Sequence, residues 1–446
     1  MAHSLISNPA AEPSVTGAFT REAFEAHLAR VRHLPAWWLD RKRAAYERFV
    51  ALPMPRRTDE SWRFSNLAGL TQDDFKIPSA AVDFKQTTHA DIGVAGAGTL
   101  LFANNRLAMQ EPLATAAAQR GVVFDTLQNA LLKQGGLVRE HLLNQSARLG
   151  SAKFAALHEA FLEDGAFIHV PKGVEVDLPV GVFHYGSGAG TALFPHTLIV
   201  ADERSRVTVA DFHRSTKSHE RHFVCGGTDL YAGHGSSVTY IAMQDWSRET
   251  LALQFNATVA RRDARVLSIN LHAGGRQARQ ESFSQLQAPG AHSEMLALTI
   301  AHGSQEFDQR TLQIHQAPNT SSNLLYKNAL LESARTIFSG LIVVDPDAQK
   351  TDAYQSNRNL MLSDDAEAHS LPGLEIQAND VRCTHGATSS RIPAEQEFYL
   401  QSRGIRKAQA DELLVFGFFE EILGRIENPE LHDRLSEIIR RKLKDN

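Results

Sequence analysis

Cysteine is nearly absent from this chain. Its 446 residues include only Cys225 and Cys383, too few for a disulfide framework, so stability must come from a packed core and the composition suits a reducing compartment. No apolar run approaches the roughly 18 residues that a membrane-spanning helix needs. The first 13 residues lack the basic and apolar regions of a secretory signal and read as a frayed tail; no membrane role is expected, and the protein reads as cytoplasmic. Charge of one sign is not in excess: 46 Lys and Arg stand against 51 Asp and Glu, a formal net charge of −5, which gives no reason to expect nucleic acid as a partner. A Gly-x-x-x-x-Gly-Lys-Ser/Thr loop is missing, so any ATP dependence has to enter with another protein. Histidine is frequent, at 20 residues. No two of them make a His-x-x-x-His or His-Glu-x-x-His pair, so most read as surface or structural groups.

The chain is long enough for two or three domains, and its texture changes twice. Residues 1–165 read as a largely helical N-terminal domain. Phe24, Leu28 and Val31 recur at helical spacing after Thr20, and Pro35 closes that helix and opens a second through Trp38, Ala45 and Phe49. Short strands and turns are expected over 80–110, helices over 111–118 and from Asp125 to the Gly135–Gly136 pair, and a helix after Ser151. Residues 56–65 interleave charge with aromatics; Trp62 and Phe64 read as anchors of a loop, with solvated charges between them. Residues 166–392 read as a β core. Runs at 167–170, 197–200, 206–210, 238–243, 257–259, 266–271 and 295–301 are β-branched or aromatic and are separated by Asn, Asp, Gly and Ser, a pattern shared by sandwiches, barrels and β-helices. Gln355, Asn357 and Asn359 fall at period two and suit an amide ladder inside a stacked core. Residues 393–446 read as a C-terminal helical domain opened by Pro393.

The most informative stretch lies where strand gives way to helix, NDVRCTHGAT at 379–388 followed by FYLQSRGI at 398–405. If 381–385 is extended, Cys383 and His385 point to one face. A thiolate and an imidazole are good ligands for iron or zinc, but two ligands do not complete a tetrahedral site, so the pair reads as half of a site finished by another chain. Cys225 has no ligand pattern around it and reads as buried, and a chain with two thiols cannot hold a four-thiolate cluster alone.

These two runs, together with FIHVPKGV at 167–174 and DESWRFS at 59–65, resemble the SufB/SufD family of iron-sulfur cluster assembly proteins, and within it the SufD branch, since the Cys-x-His-Gly-Ala-Thr order matches that branch. The resemblance implies a right-handed parallel β-helix flanked by helices, and a non-catalytic scaffold subunit. It implies a nascent iron-sulfur cluster held transiently between His385, with Cys383 beside it, and a SufB-like subunit, with no tightly bound cofactor in the chain by itself. It also implies docking of a SufC-like ABC-type ATPase on the C-terminal helices. There, Arg406 precedes an apolar helix over 411–424 in which Leu413, Leu414, Phe416, Phe418, Phe419, Ile422 and Leu423 leave little polar surface. Such a helix needs a cover, either the chain's own body or a partner. Pairing of the chain with itself is a further expectation. An alternative from a different class is a β-helix enzyme acting on an acidic polysaccharide, for which Asp364, Asp365 and Glu367 are the nearest carboxylates. Adjacent residues on a strand face opposite ways, and these read better as a turn.

Overall fold

The computed structural model describes residues 17–70, 73–78, 82 and 95–444; the expected tail at 1–13 and positions 80–81 and 83–94 of the expected strand-and-turn stretch lie outside them. The body is a parallel β-solenoid in which each turn lays one strand in each of two sheets, directly on the strand of the turn before. One sheet runs from Arg106–Glu111 and Gly98–Ala103 through Val180–Gly186, Arg206–Ser215, Ser237–Asp245, Arg265–His272, His292–Ala301, Ser321–Leu330 and Asp352–Met361 to Arg382–Arg391. The other runs from Val123–Thr126 and Ala166–Val170 through His196–Ala201, His222–Ala232, Leu251–Ala260, Gln277–Leu286, Glu306–His315 and Arg335–Val344 to Glu367–Ile376. Only the first pair of each sheet is antiparallel. Gln277 hydrogen-bonds to Glu306 on the next turn, 29 residues on.

All seven expected runs lie in strands of this stack. The sequence carries no strict repeat because the bends are made by backbone conformation instead of by a fixed residue. Arg204, Asp263, Asn319, Glu332 and Lys350 adopt φ between 53° and 57°, and Gly235, Gly290 and Gly303 serve other bends. Left-handed conformations disfavour residues with a Cβ, so each non-glycine bend is held by the hydrogen-bonded turns on either side of it.

The interior is part polar. Gln309 donates to Asn328 (3.1 Å), Asn328 to Asn359 (2.7 Å) and Asn359 to Asn357 (3.0 Å), and Ser370 of the opposite sheet donates to Asn357 (2.6 Å). Stacked amides satisfy one another's donors and acceptors, which a buried polar core requires. Gln355 joins this interior through a bond to the Gly340 carbonyl at 3.2 Å, but its own Oε1 has no partner among the described residues.

The N-terminal helices Arg21–Arg30 and Ala36–Ala51 pack with Ala152–Phe161 against one sheet, around Phe19, Phe24, Tyr46, Phe49 and Phe161, all at most 1% exposed. Thr20 caps the first helix by accepting from the Ala23 N–H. One expectation shifts: Glu111 closes a strand, and the helix begins only at Thr115. The helix expected from Asp125 runs Leu127–Lys133 and stops just before Gly135 and Gly136, which then open a second helix, Gly135–His141. Trp62 anchors its loop as expected, donating to the Gly150 carbonyl at 2.9 Å beneath the Arg279 guanidinium, 3.8 Å from its ring. Arg279 is the staple between this region and the solenoid. It donates to Glu281 (2.8 Å), to the Ser61 carbonyl (3.0 Å), to the Leu149 carbonyl (2.8 Å) and to Asp308.

At the other end, helices Lys407–Leu423 and Pro429–Lys444 lie on the outer face of the sheet that ends in Arg382–Arg391. Val415, Phe419, Ile422, Leu423, Leu431, Leu435, Ile438 and Ile439 form one core with Leu271, Leu298, Leu325 and Leu360 of the sheet. Burying each large apolar side chain contributes roughly 1.5–3 kcal/mol, so this cover is part of the fold. Among the described residues no helix is long and apolar enough to cross a membrane.

Candidate functional site

Among the described residues nothing caps the last turn of the solenoid. Arg382–Arg391 and Glu367–Ile376 are the last strands of their sheets, and nearly every residue of Arg382–Arg391 is exposed. Each strand therefore presents a row of backbone donors and acceptors with no strand beyond it, a template for pairing with another chain.

Register fixes what faces inward here. Cys383 lies over Ala353, His385 over Gln355 and Ala387 over Asn357, and those three lower residues are at most 1% exposed. Paired residues in a parallel sheet point the same way, so Cys383 and His385 share one face, as their spacing predicts, and line the open mouth of the solenoid. The two differ in environment. Cys383 is half-buried against Ala353, Ala378, Val381 and Leu374. Burial pushes its thiol up, which the Ala353 N–H opposes and the Asp352 charge reinforces, so the sulfur is held as a thiol that a bound cation would have to deprotonate. His385 is exposed. Directly beneath it lies the unpartnered Oε1 of Gln355, a polar atom that sequence reasoning assigned to the amide ladder. Nothing in the pattern of residues marks this amide as the rung under the last turn. Among the described residues no group of three or more His, Cys, Asp or Glu side chains is placed to hold a metal ion, so a metal at this mouth would need ligands beyond those the described residues gather there.

Cys225 is fully buried and donates to the Phe154 carbonyl at 3.2 Å; burial drives its thiol far up. Several histidines are interior structural groups. His158 sits between the Cys225 carbonyl (2.6 Å) and His196 (3.0 Å), and burial keeps it neutral. Burial likewise pushes His184, beside Asp211, down to about 3. Asp364 and Asp365 form a turn, and Asp364 pairs with Arg391 at 2.7 Å, so no pair of carboxylates is gathered there for acid-base work.

The residues singled out on the C-terminal helix divide into two sets. Phe419, Ile422 and Leu423 are buried on the chain's own sheet, holding the helix in place. Leu414, Phe416 and Phe418 are half-buried, Phe416 beneath Arg440 and Phe418 beside Lys327. Leu413 is 54% exposed and Arg406 is exposed. On the preceding helix, Ala394–Ser402, Phe398 and Tyr399 are 73% and 56% exposed. Sequence reasoning placed this aromatic pair in a motif without marking it as surface.

Comparison with known proteins identifies the family. Residues 184–418 match the family described as SUF system FeS cluster assembly, SufBD core domain, and residues 22–182 match the SufBD protein N-terminal region. The chain is 29% identical to the iron-sulfur cluster assembly protein SufD of Bacillus subtilis over 92% of its own length and 95% of that protein's. It is 30% identical to an iron-sulfur cluster assembly SufBD family protein of Mycobacterium tuberculosis over 74% and 81% of the respective chains. It is 26% identical to the SufB protein of Bacillus subtilis over 90% and 88%. With its parallel solenoid, its two flanking helical regions and its Cys-x-His strand at the open end, this chain belongs to the SufBD family of iron-sulfur cluster assembly proteins and is SufD-like.

Proposed function

We propose that the chain is a non-catalytic subunit whose open solenoid end is completed by a SufB-like subunit, with a nascent iron-sulfur cluster, as cargo, built at the join. One observation carries this reading: His385 stands exposed at an unpaired strand edge, facing the axis, with a half-buried thiol two residues away. An imidazole there meets iron arriving from the partner's side without rearrangement of this chain. The Cys383 thiol is a second donor once a cation lowers its proton affinity. Two donors from one chain and the rest from another make assembly conditional on both being present, and they leave the cluster easy to release because neither chain encloses it.

The same reading places a SufC-like ATPase on the surface around Phe398, Tyr399, Arg406 and Leu413, where apolar side chains remain uncovered after the helix has packed onto its own sheet. ATP-driven motion of that partner would act on helices continuous with the strand that carries His385.

The test is reconstitution with SufB-like and SufC-like subunits, iron and a sulfide source, following the visible absorption of the cluster. With His385→Ala the complex should form and its cluster absorption should fall severalfold. Undiminished absorption in an intact complex removes His385 from the site, and failure of the edge to pair with any SufB-like chain removes the shared-site reading altogether.

A further inference from the structure

On the outer face of the sheet that ends in Glu367–Ile376, the N-terminal region leaves a cleft of about 650 Å³ uncovered. Its floor is Ser339, Leu341, Leu371 and Gly373, and its walls are the 60–64 loop and the segment at Arg148 and Leu149. Three guanidinium groups line it, those of Arg63, Arg148 and Arg310, against one carboxylate, Glu60. Arg63 and Arg148 are exposed; Arg63 lies over the Phe64 ring at 5.6 Å.

Arg310 is the unusual member. It is 4% exposed, its Nε donates to Asp308 at 2.6 Å, and its Nη2 is enclosed with no hydrogen-bond partner among the described residues. Asp308 cannot serve it further, because the carboxylate also takes Arg279 and Ser65. A buried guanidinium with an unmet donor is costly unless something supplies acceptors, and a planar fork of donors suits an oxyanion. The cleft is far larger than one phosphate and falls within the roughly 300–1,000 Å³ of small-molecule sites. Its floor offers the apolar surface of Leu341 and Leu371, the latter 39% exposed.

We infer that this cleft binds a small organic anion, its phosphate or carboxylate group held by Arg63, Arg148 and Arg310 and its uncharged part resting on Leu341 and Leu371. The cleft lies on a sheet face and is a site separate from the open mouth at Cys383 and His385. The strand forming the cleft's outer rim, Glu367–Ile376, is the last of its sheet, so an anion bound here stiffens one of the two edges offered for pairing.

Calorimetric titration of the full chain with phenyl phosphate, benzoate and inorganic phosphate tests the inference. Phenyl phosphate or benzoate should bind at millimolar or lower concentration and more tightly than inorganic phosphate, and the order of the first two assigns the head group. Arg63→Ala and Arg148→Ala, both exposed and outside the Arg279 cluster, should each weaken binding about tenfold, with circular dichroism unchanged; Arg310→Lys, which keeps the charge but loses the fork, should also weaken it. Absence of binding by all three anions overturns the inference. So does an affinity that the Arg63→Ala/Arg148→Ala double variant leaves unchanged.

Discussion

Removing the Arg279 side chain should detach the N-terminal region from the solenoid before the solenoid itself unfolds. Arg279 is 4% exposed and closes two carbonyl acceptors, Ser61 and Leu149, and two carboxylates, Glu281 and Asp308, while lying on Trp62. In Arg279→Ala two carbonyls lose their donor at about 1–3 kcal/mol each where water cannot replace it, and Glu281 is left buried without its cation. Breaking a buried pair by removing one partner costs about 3–5 kcal/mol. Asp308 keeps Arg310 and Ser65, so the sum is shared, and about 4 kcal/mol is the working figure. Hydrogen exchange of the 60–66 amides reads this loss locally, and limited proteolysis between 52 and 66 reads it as faster cleavage. The pH dependence is a second check. Burial alone would push the Asp308 carboxyl up, and the adjoining Arg279 and Arg310 hold it below its usual range. Its stabilising contribution is present above the unfolded-state value near 3.9 and is lost as pH falls through the lower folded value. Without Arg279 the burial effect gains weight and the folded carboxyl takes up its proton more readily, so the variant's deficit should shrink as pH falls toward 4. A loss below about 1 kcal/mol, or a deficit that grows on acidification, would refute the staple.

Asp164 is pushed up to about 7 by burial, against two backbone N–H donors from Gln128 and Gly165. Its folded value exceeds its unfolded one, so stability drains away as pH rises from about 4 to 7, by roughly 4 kcal/mol at most. Asp164→Asn should be more stable than the parent at pH 8 and no more stable at pH 4, measured by thermal unfolding; equal midpoints at pH 8 would count against the buried acid. Thiol titration of the native chain should modify Cys383 slowly, because burial raises its thiol, and Cys225 only on unfolding; rapid modification of both would contradict the packing. Leu413→Glu and Phe398→Glu should leave the fold within about 0.5 kcal/mol of the parent, as surface changes, and reduce capture of a SufC-like ATPase at least severalfold. Retention of the ATPase by the double variant would move its docking site elsewhere. Truncation after Ile405 is the weaker test, since it also strips the cover from Leu298 and Leu325.

How much of this was legible depended on how each strand buries its faces. Strands rich in Val, Ile and aromatics, such as His196–Ala201 and Ser237–Asp245, announce themselves. Gln277–Leu286 and Glu306–His315 do not, because one of their faces runs from the Arg279–Asp308 cluster to Phe283, Leu312 and Ile314 and the other mixes interior amides with Phe307 and Leu286, so polar and apolar side chains share both largely buried rows. Alternation of hydrophobicity vanishes when the core itself is hydrogen-bonded. The solenoid's periodicity was hidden for a related reason, since Arg204, Asp263, Glu332 and Lys350 turn its bends in a conformation that composition does not advertise. At the site, a period of two was enough to put Cys383 and His385 on one face. Exposure was not legible: it follows from the absence of a further turn above them. On the C-terminal helix, hydrophobicity alone did not separate Phe419 and Leu423, which face the sheet, from Leu413, which faces away.

The terminal strand begins with Arg382 and ends with Arg391, 83% and 68% exposed at their side chains. Each is already matched by a carboxylate of the preceding turn, Arg382 by Asp352 at 3.6 Å and Arg391 by Asp364 at 2.7 Å, so the two ends of the edge are close to neutral. Selection of an incoming strand therefore falls to backbone hydrogen bonds and side-chain fit, and should vary little with salt.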